Sequence, residues 1–399
     1  MKNLSILSLF LLSLATCLAQ KPEPIMGFAI ELKPVSWYKE QSAAWKKEIE
    51  KNNQNAYAWY NYYRVTRNLS RLDTTDTRSM DDKSKEQKKI VDDMEKAVPN
   101  SFEYNLSRWM VAGNDQAYLP FLKKAAELGS DRIELFSEMV TWGEVDRNMD
   151  RRNEYAKKWY ESSIASPGLL YYNYNVINGL KPNAIIITTG DNDTYPIWLL
   201  QSQGIRKDVT VLNASLLWID NYRNAIFKEL GAARWNMEPA SQKKDSSKPV
   251  SYGNNATEEQ IRDRFHKEIV KHLAANTQNR PVYIALTVGD DFTKPIEENL
   301  YLTGLAYEYS AKSIDNIALL KRNFEQNYAL DYIDRSFYHD ISAYWVQHCN
   351  SNYVVPMIKL YDHYKESGDI KQQEWTKRKI MAIVKNRPEE KEIIKYFAQ

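Results

Sequence analysis

Six polar residues are the part of this 399-residue sequence best suited to chemistry. They form two clusters and are Asp191, Asn192, Asp193, Thr194, Asp290 and Asp291. Carboxylate and hydroxyl oxygens are the ligands that Mg²⁺, Ca²⁺ and Mn²⁺ prefer in proteins, and they can also accept hydrogen bonds from sugar hydroxyl groups. All six residues are therefore candidate ligand-binding residues, with Asp191 and Asp193 as the candidate metal ligands.

A structural role is the alternative explanation for the same residues. Asp and Asn side chains cap helices and build turns by hydrogen bonding to nearby backbone groups. The run 190–194 would then be a strand-to-helix turn, in which Asp193 or Thr194 caps a helix that begins near Tyr195. The sequence leaves both interpretations open.

Other residues with reactive side chains lack the spacing that catalysis requires. The sequence has no Gly-rich dinucleotide fingerprint, phosphate-binding loop, His-Glu-x-x-His helix or nucleophile elbow. His266 and His272 are six residues apart, so they cannot share one metal on a helix face, and we expect them at the surface. Cys349 and His348 are adjacent and would point apart on a helix, which favours a buried structural thiol. We therefore predict no catalytic residue.

Three short strands are predicted to position the two acidic clusters. Continuous or near-continuous apolar runs, rich in β-branched residues, occupy 184–188, 209–212 and 281–287, as expected for strands buried on both faces. The first two enclose one helix and form a parallel β-α-β unit. Ligands of such sheets bind outside the carboxyl ends of the strands. If the first and third strands are neighbours, both acidic clusters face one crevice.

Amphipathic helices are predicted on either side of this unit, at 34–165 and 316–399. Apolar residues recur there at three- and four-residue spacings, as in Trp45 and Ile49. The segment around Ala56–Tyr60 resembles the junction between tetratricopeptide (TPR) repeats, although an irregular helical bundle would give a similar pattern. Short helices of this kind must stack as hairpins to bury a core.

The predicted fold class is α/β with mostly α content. A small central parallel β-α-β sheet domain, residues 166–315, is flanked by TPR-like helical hairpins. Within that domain the polar stretch 238–255 is expected to be a flexible loop or a lid.

The first 19 residues have the order of features found in a secretory signal peptide. Lys2 precedes the apolar run Leu4–Leu14, and Ala19 follows at a cleavage site with small residues. Lipidation at Cys17 is the alternative, but Thr16 is unusual before a lipoprotein cysteine. No later segment approaches the roughly 20 apolar residues that span a bilayer. We expect a periplasmic or outer-membrane-associated protein.

Composition excludes some classes of function. The formal charge of +2 is too small for a typical nucleic-acid-binding surface. One cysteine remains after removal of the predicted signal peptide, so no intramolecular disulfide is possible. The 27 tyrosines and 11 tryptophans are typical of helical-repeat cores and of surfaces that contact proteins or sugars.

The acidic segment at Asp191 also carries a family resemblance. The runs that carry it are Gly190–Gln201, Gly204–Asn213, Ser215–Leu217, Arg280–Ala285 and Gly304–Tyr307. They resemble the extracytoplasmic domain of the protein O-mannosyltransferase-like multispanning membrane family, in which a glycosyltransferase membrane part precedes such a domain. That membrane part is missing here, so the resemblance does not imply transferase activity. It implies an accessory domain that engages an acceptor protein or glycan.

These observations favour an exported, non-enzymatic interaction or scaffold protein of the bacterial cell envelope. Its helical repeats would bind a protein partner, with no nucleic acid involved and no cofactor. The alternative is a glycan-binding protein or a metal-dependent enzyme, with a divalent cation held at Asp191 and Asp193.

Overall fold

The computed structural model describes residues 22–113, 115–233, 258–334 and 339–398. The predicted signal peptide and the polar stretch 238–255 lie outside the described residues. The described chain forms two compact units, one containing residues 22–28 and 33–130 and the other containing 29–32 and 131–398. No helix within the described residues is long and apolar enough to cross a bilayer.

Unit 1 is built from helices. They are α1 (Val35–Lys51), α2 (Ala56–Leu72), α3 (Met80–Ala97), α4 (Phe102–Val111) and α5 (Leu119–Leu128). Helix α1 packs against α2, and α4 packs against α5. Polar side chains begin three of these helices, since Asn55, Ser79 and Ser101 each accept a hydrogen bond from a backbone amide of the first turn. Trp45 and Ile49 are buried in the α1–α2 core, as their spacing predicts.

Unit 2 combines helices with one small sheet. Its helices are α6 (Phe136–Val145), α7 (Met149–Tyr160), α8 (Pro167–Asn178), α9 (Asp191–Ser202), α10 (Asp220–Glu229), α11 (Glu258–Asn276), α12 (Asp290–Thr293), α13 (Asn316–Arg322), α14 (Ala343–Asn350), α15 (Val354–Ser367), α16 (Ile370–Val384) and α17 (Glu390–Phe397). Its strands are β1 (Ile185–Thr188), β2 (Thr210–Asn213), β3 (Val282–Ala285), β4 (Leu300–Leu302) and β5 (Ala306–Tyr309). The described chain is thus mostly helical, with one small sheet.

The sheet is mixed, which corrects the expectation of a parallel sheet. Its strand order is β2-β1-β3-β5-β4. Strand β1 pairs in parallel with both β2 and β3, whereas β5 runs antiparallel to β3 and β4. All four residues of β1 are buried, consistent with a strand that has neighbours on both sides.

The sequence does not predict strands β4 and β5, because a charged residue lies on the buried face of β5 and interrupts its apolar pattern. Glu308 points inward on β5 and is 6% exposed. It accepts a hydrogen bond from the Tyr283 hydroxyl at 2.7 Å and pairs with Lys181. Gly304 closes the hairpin at φ 155°, where a Cβ atom would collide with the Tyr328 hydroxyl. A buried charge that is paired in this way breaks the alternation expected of a strand.

Candidate functional site

The carboxyl ends of β1, β2 and β3 form one edge of the sheet. Because β1 lies between β2 and β3, the residues that follow these strands come together. The first acidic cluster follows β1, and the second follows β3 after a short loop that contains Thr287. The two predicted clusters are therefore at neighbouring strand ends.

Asp193 is buried at this edge and is held by hydrogen bonds from three directions. Its Oδ2 accepts from the Thr189 amide at 3.0 Å, and its Oδ1 accepts from the Gly190 amide at 2.7 Å. The Thr287 hydroxyl, in the loop after β3, donates to Oδ2. The side chain is 3% exposed. Asp193 thus ties the loop after β1 to the loop after β3.

Burial controls the ionisation of this carboxyl group. Desolvation raises the pKa of Asp193 above its ordinary value, and the hydrogen bonds from Thr287, Thr189 and Gly190 oppose that rise. The group therefore gives up its proton less readily than an exposed aspartate does.

Helix α9 begins four residues earlier than predicted. It starts at Asp191 with Gly190 as its N-cap, so residues 191–194 form its first turn and not a separate turn. Asp193 occupies the third helical position and bonds back to the Gly190 amide, which is the acidic half of a capping box. The prediction that Asp193 or Thr194 is the N-cap is wrong by position, although Asp193 does satisfy the amide of the N-cap residue.

Pro196 therefore lies inside α9, where it cannot donate the usual backbone hydrogen bond to the carbonyl of Asn192. Asn173 of α8 supplies the missing donor, because its Nδ2 lies 2.8 Å from the Asn192 carbonyl oxygen. The same Nδ2 also donates to the Leu169 carbonyl at 2.9 Å. The proline is tolerated because α8 replaces the lost bond, and this contact fixes the start of α9 against α8.

Thr194 connects the same edge to β2. Its hydroxyl lies 2.7 Å from the Thr188 hydroxyl and accepts a hydrogen bond from Asn213 Nδ2 at 3.0 Å. Asn213 Nδ2 also donates to the Thr189 carbonyl at 3.2 Å. Sequence reasoning missed Asn213 and Thr287, although each is a polar residue at or just beyond the end of a strand.

Exposed carboxylates remain at the surface of this edge. Asp191, Asp290 and Asp291 are exposed, and Asn192 is half-buried. Asp291 forms an ion pair with Arg262 at 3.3 Å. Among the described residues, no group of three His, Cys, Asp or Glu side chains is arranged to hold a metal ion. This edge of the sheet thus carries two kinds of acidic residue, the buried and hydrogen-bonded Asp193 and the outward-facing aspartates.

Aromatic rings lie beside the second acidic cluster. His266 is 5% exposed, which corrects the expectation that it is a surface residue. Its ring stacks on Phe292 with centroids 4.2 Å apart, while Trp218 stacks on Phe265 at 3.7 Å. Burial lowers the pKa of His266. The spacing of residues on α11 could not reveal this, because Phe292 and Trp218 come from other segments.

Cys349 is buried, as predicted for a structural thiol. Burial raises the pKa of Cys349 well above its ordinary value, and the charge of Asp193 adds to this effect. The neighbouring His348 is exposed, so the two side chains have different environments.

Comparison with known proteins gives one family match. The model of TMEM260-associated domain 2 matches residues 171–264, a range that contains β1, α9 and β2. The chain is similar to that domain over this range, which includes the first acidic cluster. No curated protein matches the chain.

Proposed function

We propose that this chain is an exported, non-enzymatic interaction protein of the bacterial cell envelope that binds a protein partner through TPR-like helical hairpins. The observation that carries the non-enzymatic part is the environment of Asp193. Its carboxylate is 3% exposed and accepts hydrogen bonds from Thr189, Gly190 and Thr287. The most chemistry-like residue in the sequence is therefore engaged in holding two loops together.

Exposed apolar side chains on the C-terminal helices support the binding of a protein. Tyr344 of α14 is 53% exposed, Val355 of α15 is 56% exposed, and Ile370 of α16 is 70% exposed. Tyrosine is enriched in the surfaces that protein partners bury, and the aliphatic side chains add apolar area that would be removed from water. Because the helices that carry them are stacked, as in the α15–α16 pair, the side chains are presented on a firm support.

The family match supports the same class of protein. The matched range overlaps the segment that resembles the extracytoplasmic domain of the O-mannosyltransferase-like family. In this proposal the chain acts as such an accessory domain, located in the periplasm or at the outer membrane.

Photo-crosslinking in the intact cell envelope tests the proposal. A photoreactive amino acid placed at Val355 or Ile370 should capture the same partner in repeated preparations. The matched control is the same amino acid at Glu366, an exposed polar position of α15. Adducts that vary between preparations, or a chain that is recovered only as an unlinked monomer, would contradict the proposal.

A second candidate function uses the exposed side of the acidic edge. Asp191, Asp290 and Asp291 follow neighbouring strands and face outward, so they could bind a glycan or a divalent cation. The thermal midpoint of unfolding should then rise with Mg²⁺, Ca²⁺, Mn²⁺ or mannosides in the wild type and not in Asp191→Asn. Asp191 is the appropriate position, because a substitution of Asp193 would also disturb the loops. No shift at millimolar ligand would eliminate this candidate.

A further inference from the structure

Residues 22–27, which we call the N-terminal segment, lie along α1 and α2 without forming a helix or strand themselves. Pro22 and Pro24 each fix their own φ, and Pro24 also restricts Glu23 to extended conformations. The N-terminal segment is therefore an extended peptide whose conformation is largely set by its own sequence.

Two side chains of α1 bind the main chain of Glu23. Gln41 Oε1 accepts a hydrogen bond from the Glu23 amide at 2.8 Å, and Trp45 Nε1 donates to the Glu23 carbonyl at 2.9 Å. Glu23 itself is exposed. Both main-chain groups of Glu23 are thus recognised without any contribution from its side chain.

Two side chains of α2 continue the same pattern. Asn61 Oδ1 accepts from the Ile25 amide at 2.7 Å, and Asn68 Nδ2 donates to the Met26 carbonyl at 2.8 Å. Asn61 and Asn68 are seven residues apart and share one face of α2. Together with Gln41 and Trp45 they form a row of donors and acceptors that matches an extended backbone.

One side chain of the segment is inserted into the hairpin. Ile25 is 3% exposed and belongs to the apolar cluster that contains Tyr38, Trp45, Ala58 and Val65. The segment is therefore held by main-chain hydrogen bonds plus a single aliphatic anchor, a combination that many extended peptides could supply.

Arg64 lies on the same face of α2, between Asn61 and Asn68, and is poorly satisfied by this segment. Its Nε is buried without a hydrogen-bond partner, and its Nη1 lies 3.9 Å from Met110 Sδ. A Cβ atom at Gly27 would lie 2.5 Å from Arg64 Nη2. No described carboxylate forms an ion pair with this guanidinium, and the residue next to it on the segment is a glycine.

We propose that the groove between α1 and α2 binds an extended segment of a protein partner, in which an aliphatic anchor is followed two positions later by Asp or Glu. The anchor would take the place of Ile25, and the acidic side chain would displace the flexible end of Arg64 slightly and pair with it. The chain's own N-terminal segment occupies the groove when that partner is absent. This inference rests on the proposed function and adds a second binding surface to it, in unit 1.

Peptide binding to the full chain provides the test. The substitution Ile25→Asp places a charge in the apolar anchor site and so releases the N-terminal segment while leaving the groove intact. A fluorescent peptide of residues 22–30 carrying Gly27→Glu should bind the Ile25→Asp chain, and should bind the wild-type chain about tenfold more weakly because the groove is occupied.

Arg64 supplies the matched control. The Gly27→Glu peptide should bind about fivefold more tightly than the peptide of natural sequence, and Arg64→Met should abolish this difference. A peptide that carries Ile25→Asp should not bind. Failure of every peptide to bind an Ile25→Asp chain with native helix content would overturn the proposal, as would equal binding by wild-type and Ile25→Asp chains.

Hydrogen exchange on the wild-type chain decides the matter if Ile25→Asp does not fold. The amides of Glu23 and Ile25 should exchange faster than those in the middle of α2, because the segment leaves the groove without unfolding of the helices. If both amides exchange only through global unfolding, the N-terminal segment is a permanent part of the core and the proposal is wrong. If peptides fail while Val355 or Ile370 still captures a partner, the proposed function survives without this groove.

Discussion

Asp193 joins the start of its own helix to a loop that is far away in sequence. It bonds to the backbone just after β1, to its own helix start and to Thr287, which lies 94 positions further along. A short polar side chain can do this because the strand ends are neighbours in the sheet. Its contribution should therefore be to stability and to the geometry of the edge.

Substitution of Asp193 by Ala should lower the free energy of unfolding by about 2–4 kcal/mol, because it leaves the Thr189 and Gly190 amides without their acceptor. Urea unfolding followed by circular dichroism measures the effect. Glu366→Ala is the control, since Glu366 is exposed and should change stability by no more than about 0.5 kcal/mol. Equal effects of the two substitutions would show that the buried hydrogen bonds contribute little.

The raised pKa of Asp193 predicts the direction of its pH dependence. Its contribution to stability should be complete below the ordinary value of 3.8 and should fall as pH rises through the folded-state pKa, because the unfolded chain ionises more easily. The asparagine in Asp193→Asn cannot titrate. The stability advantage of wild type over Asp193→Asn should therefore shrink as pH rises above the ordinary value of 3.8. An advantage that grows over this range would mean that the hydrogen bonds outweigh desolvation.

Helices α6, α7 and α10 share a buried charge at Glu144, which is fully buried. Its Oε2 pairs with Arg152 at 2.8 Å, and its Oε1 pairs with Arg147 and accepts from the Tyr222 hydroxyl at 2.8 Å. Arg147 also bonds Glu229 of α10 at 2.7 Å. A carboxylate with this many donors joins the three helices at one point.

Glu144→Gln should destabilise the chain by about 3–5 kcal/mol, because it keeps the shape of the side chain but leaves two arginines without their buried counter-ion. Thermal or urea unfolding gives the comparison. Glu161→Gln removes an exposed carboxylate 4.0 Å from Lys157 and should cost less than about 1 kcal/mol. A loss at Glu144 no larger than that at Glu161 would argue that the cluster is solvated.

At the scale of elements, the sequence predicts those helices and strands that are determined by the pattern of their own residues. The run at 184–188 leaves little alternative to a buried strand, and β1 is found at Ile185–Thr188. The residue at which α9 starts is not determined by the local sequence alone. Pro196 is typical of a first helical turn, and only the bond from Asn173, in another helix, makes it acceptable further inside.

The candidate site shows the same division between local and distant information. The position of the acidic cluster at the end of a buried strand was predictable, because strand ends and polar turns are visible in the sequence. The difference in burial between Asp193 and Asp191 was not predictable. It depends on Thr287 and on the burial produced by neighbouring elements, and neither is adjacent in sequence. The exposed Asp191 and the buried Asp193 look equivalent until the sheet is assembled.

In the whole molecule, Cys349 offers a natural probe of unit 2. It is 3% exposed, and burial raises the pKa of its thiol, so it should resist a thiol reagent in the folded chain. In a Cys17→Ser chain, labelling should begin only at urea concentrations that unfold unit 2, as followed by circular dichroism. Labelling of the native chain at the rate of a free thiol would contradict the burial of Cys349.

The junction between β1 and α9 has a consequence for how such domains can diverge. Asp193 is required there by the hydrogen bonds that its side chain makes to close the turn. Folding alone is therefore enough to preserve Asp193 through duplication and descent, whatever such a chain binds. Chains recognised by this stretch would inherit a common framework, and each could acquire its own ligand.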